Sequence, residues 1–351
     1  MTKIAIVILN WNGIGFLRRF MPCVTSNSTS ERVEIWVADN GSTDGSIGFL
    51  REMFPDVRLL EFDRNYGFAG GYNMALDKIK AEYYILLNSD VMVTPGWTEP
   101  LLRVMENDQS IAACMPKIKD LRRRGYFEHA GAAGGFIDFL GYPFCRGRVF
   151  DVIEKDTGQY EDMREVFWTT GACMMVRGAH WHEEGGLDET FFAHMEEIDL
   201  CWRLKNSGKK IVVCPSSVVY HLGGGTLPQY HPRKTFWNFR NSLLMLLKNL
   251  PPGKLYLVFA RLMFDWLSVI KFIAALSFAN AFAVLRAHIS FFGLIPAYLV
   301  KRREQHQRNI ATKWYRSGKD TTLRKHDEIY PGSVVINFFI LKRRHFSQIF
   351  K

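Results

Sequence analysis

Five short apolar runs punctuate the first 115 residues, and a polar cluster follows four of them. The runs are residues 4–9, 33–38, 57–62, 83–87 and 111–115, each the length of a buried strand. Mixed segments between them, such as 97–106, suit helices. This alternation predicts an α/β fold with a parallel sheet and right-handed crossovers, whose ligands bind beyond the carboxyl ends of the strands. The residues to read are therefore Asn10-Trp11-Asn12-Gly13, Asp39-Asn40-Gly41-Ser42-Thr43-Asp44, Asp63-Arg64-Asn65-Tyr66-Gly67 and Asn88-Ser89-Asp90. All four clusters are expected to gather on one edge.

With 48% hydrophobic and 23% charged residues, the chain falls outside the disordered, collagen-like and disulfide-scaffold classes. Six cysteines without a C-x-x-C pair read as reduced thiols, most of them small core hydrophobes. After Lys3 the apolar run is too short for a secretory h-region, which predicts a cytosolic location. Residues 116–166, rich in Gly, Arg and aromatics, read as long loops or a β excursion. Regular structure is expected again over 167–176 and 191–204, with a strand over 211–220 that ends at His221.

From Trp237 the composition shifts to long apolar helices. Residues 272–285 and 287–300 are each free of Lys, Arg, Asp and Glu and are separated by Arg286. Fourteen helical residues reach about 21 Å, short of the roughly 30 Å hydrocarbon core of a bilayer. An in-plane or partly inserted hairpin fits better than a span. The formal charge of +10 is concentrated beyond it: residues 301–351 hold thirteen Lys and Arg against four Asp and Glu, a net of +9. Beside apolar helices such a tail suits an anionic cytoplasmic leaflet rather than nucleic acid. A helical subdomain packed on the core, or a dimer partner, is the alternative.

Three segments carry residue types suited to chemistry. Asn88-Ser89-Asp90 sets Asp90 at a strand end with an oxygen free for Mg²⁺ or Mn²⁺, although an Asx turn uses the same residues. Glu196-Glu197-Ile198-Asp199 opens a segment in which Ile198, Cys201 and Trp202 recur at helical spacing. Acids clustered there either take a proton from an attacking hydroxyl or complement the helix dipole. His221 precedes Gly223-Gly224-Gly225-Thr226; a neutral imidazole completes a metal site short of carboxylates, and glycines let backbone approach phosphate. A lone histidine after a strand also serves structure. His180-Trp181-His182-Glu183-Glu184 lacks a zinc spacing and reads as a surface loop. Arg122-Arg123-Arg124 reads as a solvated charge run.

In this order along one chain, the segments resemble an inverting family 2 glycosyltransferase of GT-A fold, in the rhamnosyltransferase-like branch. The resemblance runs from Ile4 to about Gly225. It implies that Val7-Ile8-Leu9-Asn10-Trp11-Asn12-Gly13 is the opening strand and nucleotide loop, with Asn10 and Asn12 at the donor. Asp39 falls where the family contacts the base. Asn65-Tyr66-Gly67-Phe68-Ala69-Gly70-Gly71-Tyr72-Asn73 is similar to the glycine-rich segment beside the donor, bringing in Asn65 and Gly71. Asn88, Ser89 and Asp90 occupy the D-x-D position, with Asp90 implied as metal ligand. Gly171-Ala172-Cys173 resembles the segment lining the acceptor side, where Asp199 is also implied. Glu196-Glu197-Ile198-Asp199-Leu200 matches E-D-x-D-L, giving Glu197 as the base with Glu196 as the alternative, and His221 matches the histidine that joins the metal. Asn88 departs from the first acid of D-x-D, and Glu197 replaces Asp.

The resemblance implies a GT-A nucleotide-diphospho-sugar transferase domain over 1–235, to which composition adds an apolar helical membrane-associating region over 236–303 and a basic tail over 304–351. It implies transfer of a sugar, rhamnose on a dTDP donor at family level, to a glycan or lipid-linked acceptor with Mg²⁺ or Mn²⁺. Two rivals remain at this stage. A nucleotidyltransferase requires a glycine-rich basic loop where this chain has Asn10-Trp11-Asn12-Gly13, and a catalytically degenerate assembly partner is consistent with the two departures.

Overall fold

The computed structural model describes residues 3–28, 30–223, 231–311 and 327–350. The chain opens with β1 (Ile4–Asn10), α1 (Ile14–Ser28), β2 (Val33–Asp39), α2 (Ser46–Met53), β3 (Arg58–Glu61), α3 (Gly67–Lys78), β4 (Tyr83–Asn88) and β5 (Val91–Val93). α1 turns Leu17, Met21 and Val24 onto the sheet, the i, i+4, i+7 stripe of an amphipathic helix. Next come α4 (Thr98–Asn107) and β6 (Ile111–Asp120), in which Leu101 and Met105 face the core.

Residues 135–153 form the β excursion as β7 (Gly135–Asp138), β8 (Pro143–Cys145), β9 (Arg148–Val149) and β10 (Val152–Ile153). The chain returns through β11 (Arg164–Glu165), β12 (Cys173–Arg177), α5 (Gly178–Glu183), α6 (Glu196–Asn206) and β13 (Lys210–His221). The central sheet has the order β11-β13-β6-β12-β4-β1-β2-β3, with β5 against β13. Strands β1 to β4 are parallel as expected. β12 runs antiparallel to both β4 and β6, because it re-enters from the excursion rather than through a helical crossover. The sheet is thus mixed, and its arrangement is the GT-A-like α/β fold.

Three helices follow: α7 (Pro232–Asn249), α8 (Tyr256–Ala274) and α9 (Phe278–Ala311). The break between apolar helices falls at residues 275–277, where Leu276 takes φ 55°, and not at Arg286. A single arginine is a good helix former with a solvated head, so Arg286 continues α9. Beyond α9, β14 (Ile329–Tyr330) pairs with β7 to complete a second sheet of order β10-β9-β8-β7-β14. A short α10 (Phe346–Ile349) packs Phe346 against Phe136 and Phe144, with ring centroids 5.1 and 5.7 Å apart. The described part of the basic C-terminal segment is thereby built into this sheet. Gly224, Gly225 and Thr226 of the expected glycine-rich turn lie outside the described residues.

Candidate active site

Parallel register sets Asn10 at the end of β1 opposite Asp39 at the end of β2. Ser42 links them: Asn10 Nδ2 donates to its hydroxyl at 3.1 Å, and its own N–H donates to Asp39 Oδ2 at 2.9 Å. Asn12, at φ 49°, also donates its backbone N–H to Ser42 and accepts from the Thr43 N–H at 2.8 Å. Asn40 bonds both Asn65 and the carbonyl of Gly67, at 3.1 and 3.0 Å, tying the third cluster to the second. At Gly71 a Cβ would meet Leu9 at 2.7 Å and Asn40 Nδ2 at 3.0 Å, so the glycine permits α3 to approach this edge. Asn10 Oδ1 and Asp39 Oδ1 are buried acceptors without a protein donor, each of which costs free energy unless a donor arrives.

β4 ends in Asn88, whose N–H donates to the Ala172 carbonyl at 2.9 Å. Ser89 and Asp90 follow directly, and β5 then pairs with β13 so that Val91 is opposite His221. That register brings His221 Nε2 to 3.0 Å from Asp90 Oδ1. Behind the imidazole, Glu128 Oε2 lies 3.3 Å from His221 Nδ1. Burial opposes charge on His221, but Glu128 and Asp90 outweigh it and push the imidazole up to about 10.

Among the described residues, no group of three or more His, Cys, Asp and Glu side chains is arranged to hold a metal. A hard divalent cation that takes its remaining ligands from phosphate and water needs fewer: Asp90 offers it an oxygen, and His221, protonated between Asp90 and Glu128, would join only by giving up its proton. A carboxylate behind the far nitrogen is the usual device for orienting a ligating imidazole. Glu128 lies between β6 and β7, outside any motif legible in the sequence.

α6 starts from a strained loop. Phe192, His194 and Met195 take φ of 62°, 69° and 73°, a region costly for residues with a Cβ. α7 holds the loop in place: Asn241 Nδ2 lies 3.0, 3.0 and 2.8 Å from the carbonyls of Phe191, Ala193 and His194. Arg240 donates to the Thr190 carbonyl at 2.7 Å, and Trp237 stacks on Phe192 at 5.3 Å. From the other side, Phe68 at the start of α3 donates its N–H to the Phe192 carbonyl at 2.8 Å.

The loop delivers Glu196 and Glu197 to the first turn of α6. The Gly171 N–H bonds the Glu197 carboxylate, and Gly171 adjoins Ala172, the partner of Asn88. Glu197 is thus brought to the end of β4, two residues before Asp90. Burial pushes Glu197 up to about 7, with backbone N–H groups of α6 and of Gly171 pulling the other way. Burial, followed by the neighbouring charge of Glu197, pushes Glu196 well above the carboxylate range. Each acid keeps one buried oxygen, Oε2, without a partner.

Asp199, expected on the acceptor side, is instead a structural ion. It is fully buried, bonded to Arg203 Nε at 2.9 Å, Lys248 Nζ at 2.7 Å and Asn249 Nδ2 at 2.8 Å. Lys248 also bonds Asp188, which receives Lys301 of α9 at 2.6 Å. This network fastens α6, α7 and α9 together. The segment expected as a surface loop at residues 180–184 is α5 and its end, with Trp181 buried and His182 Nε2 3.1 Å from the Tyr84 hydroxyl.

Comparison with known proteins agrees with this architecture. Residues 5–178 match the family model of glycosyl transferase family 2. The chain is 30% identical over 220 residues to N-acetylglucosaminyl-diphospho-decaprenol L-rhamnosyltransferase of Mycobacterium tuberculosis, an alignment spanning 58% of this chain and 71% of that protein. Among solved structures, GalNAc-T7 with UDP, GalNAc and Mn²⁺ superposes with TM-score 0.55 at 16% identity, over 71% of this chain and 48% of that one. The mannosyltransferase PcManGT from Pyrobaculum calidifontis, with GDP-Man and Mn²⁺, gives 0.51 at 12% identity over 90% and 88% of the two chains. The chain belongs to glycosyl transferase family 2, in its rhamnosyltransferase-like branch, and is a glycosyltransferase.

Proposed function

We propose that the enzyme transfers a sugar, with inversion, from a nucleoside diphosphate donor to a hydroxyl of a lipid-linked glycan acceptor at the cytoplasmic face of a membrane. The observation that carries the reading is the convergence of Glu197 on the strand end that bears Asp90. The donor's base and ribose would lie against Asn10, Asn12, Asp39 and Asn65. An imide N–H of a thymine or uracil ring is a donor that the buried Asp39 Oδ1 lacks, which favours a thymidine or uridine diphosphate donor, and the name of the mycobacterial relative favours rhamnose as the sugar.

Asp90 and His221 would hold a divalent cation, Mg²⁺ or Mn²⁺, which when bound neutralises charge on the departing diphosphate. Glu128 keeps the His221 ring oriented. Glu197 takes the proton of the acceptor hydroxyl as its oxygen bonds to the anomeric carbon, and the bond from that carbon to the diphosphate oxygen breaks on the opposite face. A carboxylate with its pKa near 7 is well matched to that transfer at neutral pH. Glu196, held neutral, is the less suitable base. Gly171 positions Glu197 through its N–H, and its lack of a Cβ admits the Phe68 ring, which a Cβ would meet at 2.8 Å.

Release of nucleoside diphosphate from dTDP-rhamnose and other nucleotide sugars, assayed with Mn²⁺ and with chelator, tests the reading. Metal-dependent release that is lost in Glu197→Gln supports it. Release from no donor under either condition would leave the chain an inactive assembly partner.

A further inference from the structure

α8 is amphipathic in the wrong sense for water. Of its three charged residues only Lys271 is exposed; Arg261 and Asp265 are buried, Arg261 donating to Asp265 at 2.7 Å and to the Leu140 carbonyl at 3.1 Å, and Tyr142 donating to Asp265 at 3.0 Å. The opposite stripe, Tyr256, Phe259, Met263, Trp266, Ile270 and Ile273, is exposed. A helix facing water places its polar side outward, so this stripe is shaped for another medium. The stripe continues into the turn before α9, where Leu276 is 76% and Phe278 61% accessible.

A second, distant segment joins the same surface. Ile336–Ile340 form a π-helical turn in which Ile336, Phe339 and Ile340 are exposed, as is Leu341 just after it. It reaches α8 through Lys271, whose Nζ lies 5.1 Å from the Phe339 ring. Lys342, Arg343 and Arg344 follow at once and are exposed. Residues 256–300 contain one acidic side chain, Asp265, and it is buried. The apolar surface is therefore rimmed by Lys271, Lys342, Arg343 and Arg344 with no exposed acid on α8 or on residues 336–344.

We propose that the α8 stripe, the turn at residues 275–277 and the 336–341 segment form one docking surface for an anionic lipid bilayer, entered from one side and not crossed. The basic rim selects that occupant. Two copies meeting through this face would oppose like charges, whereas an anionic leaflet complements them.

α9 has the length and hydropathy to cross a membrane, yet it is fixed to the catalytic domain. Val284, Ala287, Phe291 and Tyr298 are buried, Lys301 bonds Asp188 and Gln305 bonds Glu184. One face of α9 is held by the protein, and the opposite face, with Phe282, Ile289, Phe292 and Val300 exposed, is left to meet a membrane from the side. The surface deepens the proposed reaction and rests on that reading for its purpose, bringing a lipid-linked acceptor to the enzyme.

Sedimentation of the full chain with vesicles tests the proposal, using phosphatidylcholine alone and phosphatidylcholine with 30% phosphatidylglycerol. The wild type should partition to the anionic vesicles. Leu276→Glu with Phe278→Glu, and separately Lys342→Glu with Arg344→Glu, should each weaken partition roughly tenfold or more, while metal-dependent donor hydrolysis without lipid stays at the wild-type rate. Partition that is absent in the wild type, or unchanged in both variants, overturns the surface. So does a wild-type dimer dispersed by the turn variant without vesicle binding, which would make a second copy the occupant. Vesicle binding by a chain that hydrolyses no nucleotide sugar supports the surface and overturns the reaction instead.

Discussion

His221 Nε2 lies 3.0 Å from Asp90 Oδ1 across 131 positions of sequence. The pairing of β5 with β13 dictates it, since Val91 and His221 are direct partners. Asp90→Ala should abolish metal-dependent turnover and weaken Mn²⁺ binding in calorimetry. Glu128→Gln, acting only through the imidazole, should weaken Mn²⁺ binding by about 10- to 100-fold while leaving metal-free nucleotide binding at the wild-type level. Unchanged Mn²⁺ affinity in Glu128→Gln would show that Glu128 has no part in orienting His221.

Glu197 gives a pH signature. A base works in its ionised form, and burial has raised this carboxyl to about 7, so turnover should climb as pH rises through about 7 and level off above it. Glu197→Gln should lower kcat by about 10²- to 10⁴-fold with donor affinity unchanged. A rate-limiting rise near the ordinary glutamate pKa, or a Gln variant of normal rate, would remove Glu197 from this role.

The strained loop before α6 depends on Asn241. Replacing it with Ala leaves the carbonyls of Phe191, Ala193 and His194 short of a donor, a destabilisation of about 1–3 kcal/mol. Because those carbonyls precede Glu196 and Glu197, kcat should fall more than the donor KM rises. A variant that loses thermal stability but keeps its kcat would separate the loop's shape from catalysis.

Lys248 sits between two buried acids, 2.9 Å from Asp188 and 2.7 Å from Asp199. Lys248→Met strands negative charge in the interior and should cost about 3–5 kcal/mol of stability, read from denaturant midpoints. A cost within the range of a surface substitution would contradict the network.

The strand-end clusters were legible because a buried strand and its polar terminus leave a local pattern, so β1, β2 and β4 and the placement of Asn10, Asp39 and Asp90 follow from the order of residues. The second sheet was visible only as a glycine-rich excursion. Strands as short as β9 and β10 have too few residues to show a period, and Glu128 sits in the irregular stretch between β6 and β7. Asp199 belongs to a recognisable motif, but a motif names residue types without naming partners. Its partners Lys248 and Asn249 are about fifty positions away on α7. The position of the hairpin turn is hidden for a related reason: Arg286 interrupts the apolar run without ending the helix, while the turn depends on the left-handed backbone of Leu276.

The bond from Lys301 to Asp188 makes α9 a rigid mount rather than a tether. Asp188 opens the loop that ends at the base, so whatever surface the hairpin rests on is held at one altitude below Glu197. In the proposed reaction an acceptor anchored in that surface would be measured like an object under a fixed gauge: its hydroxyl would reach the anomeric carbon only if the stem beneath it has the matching height.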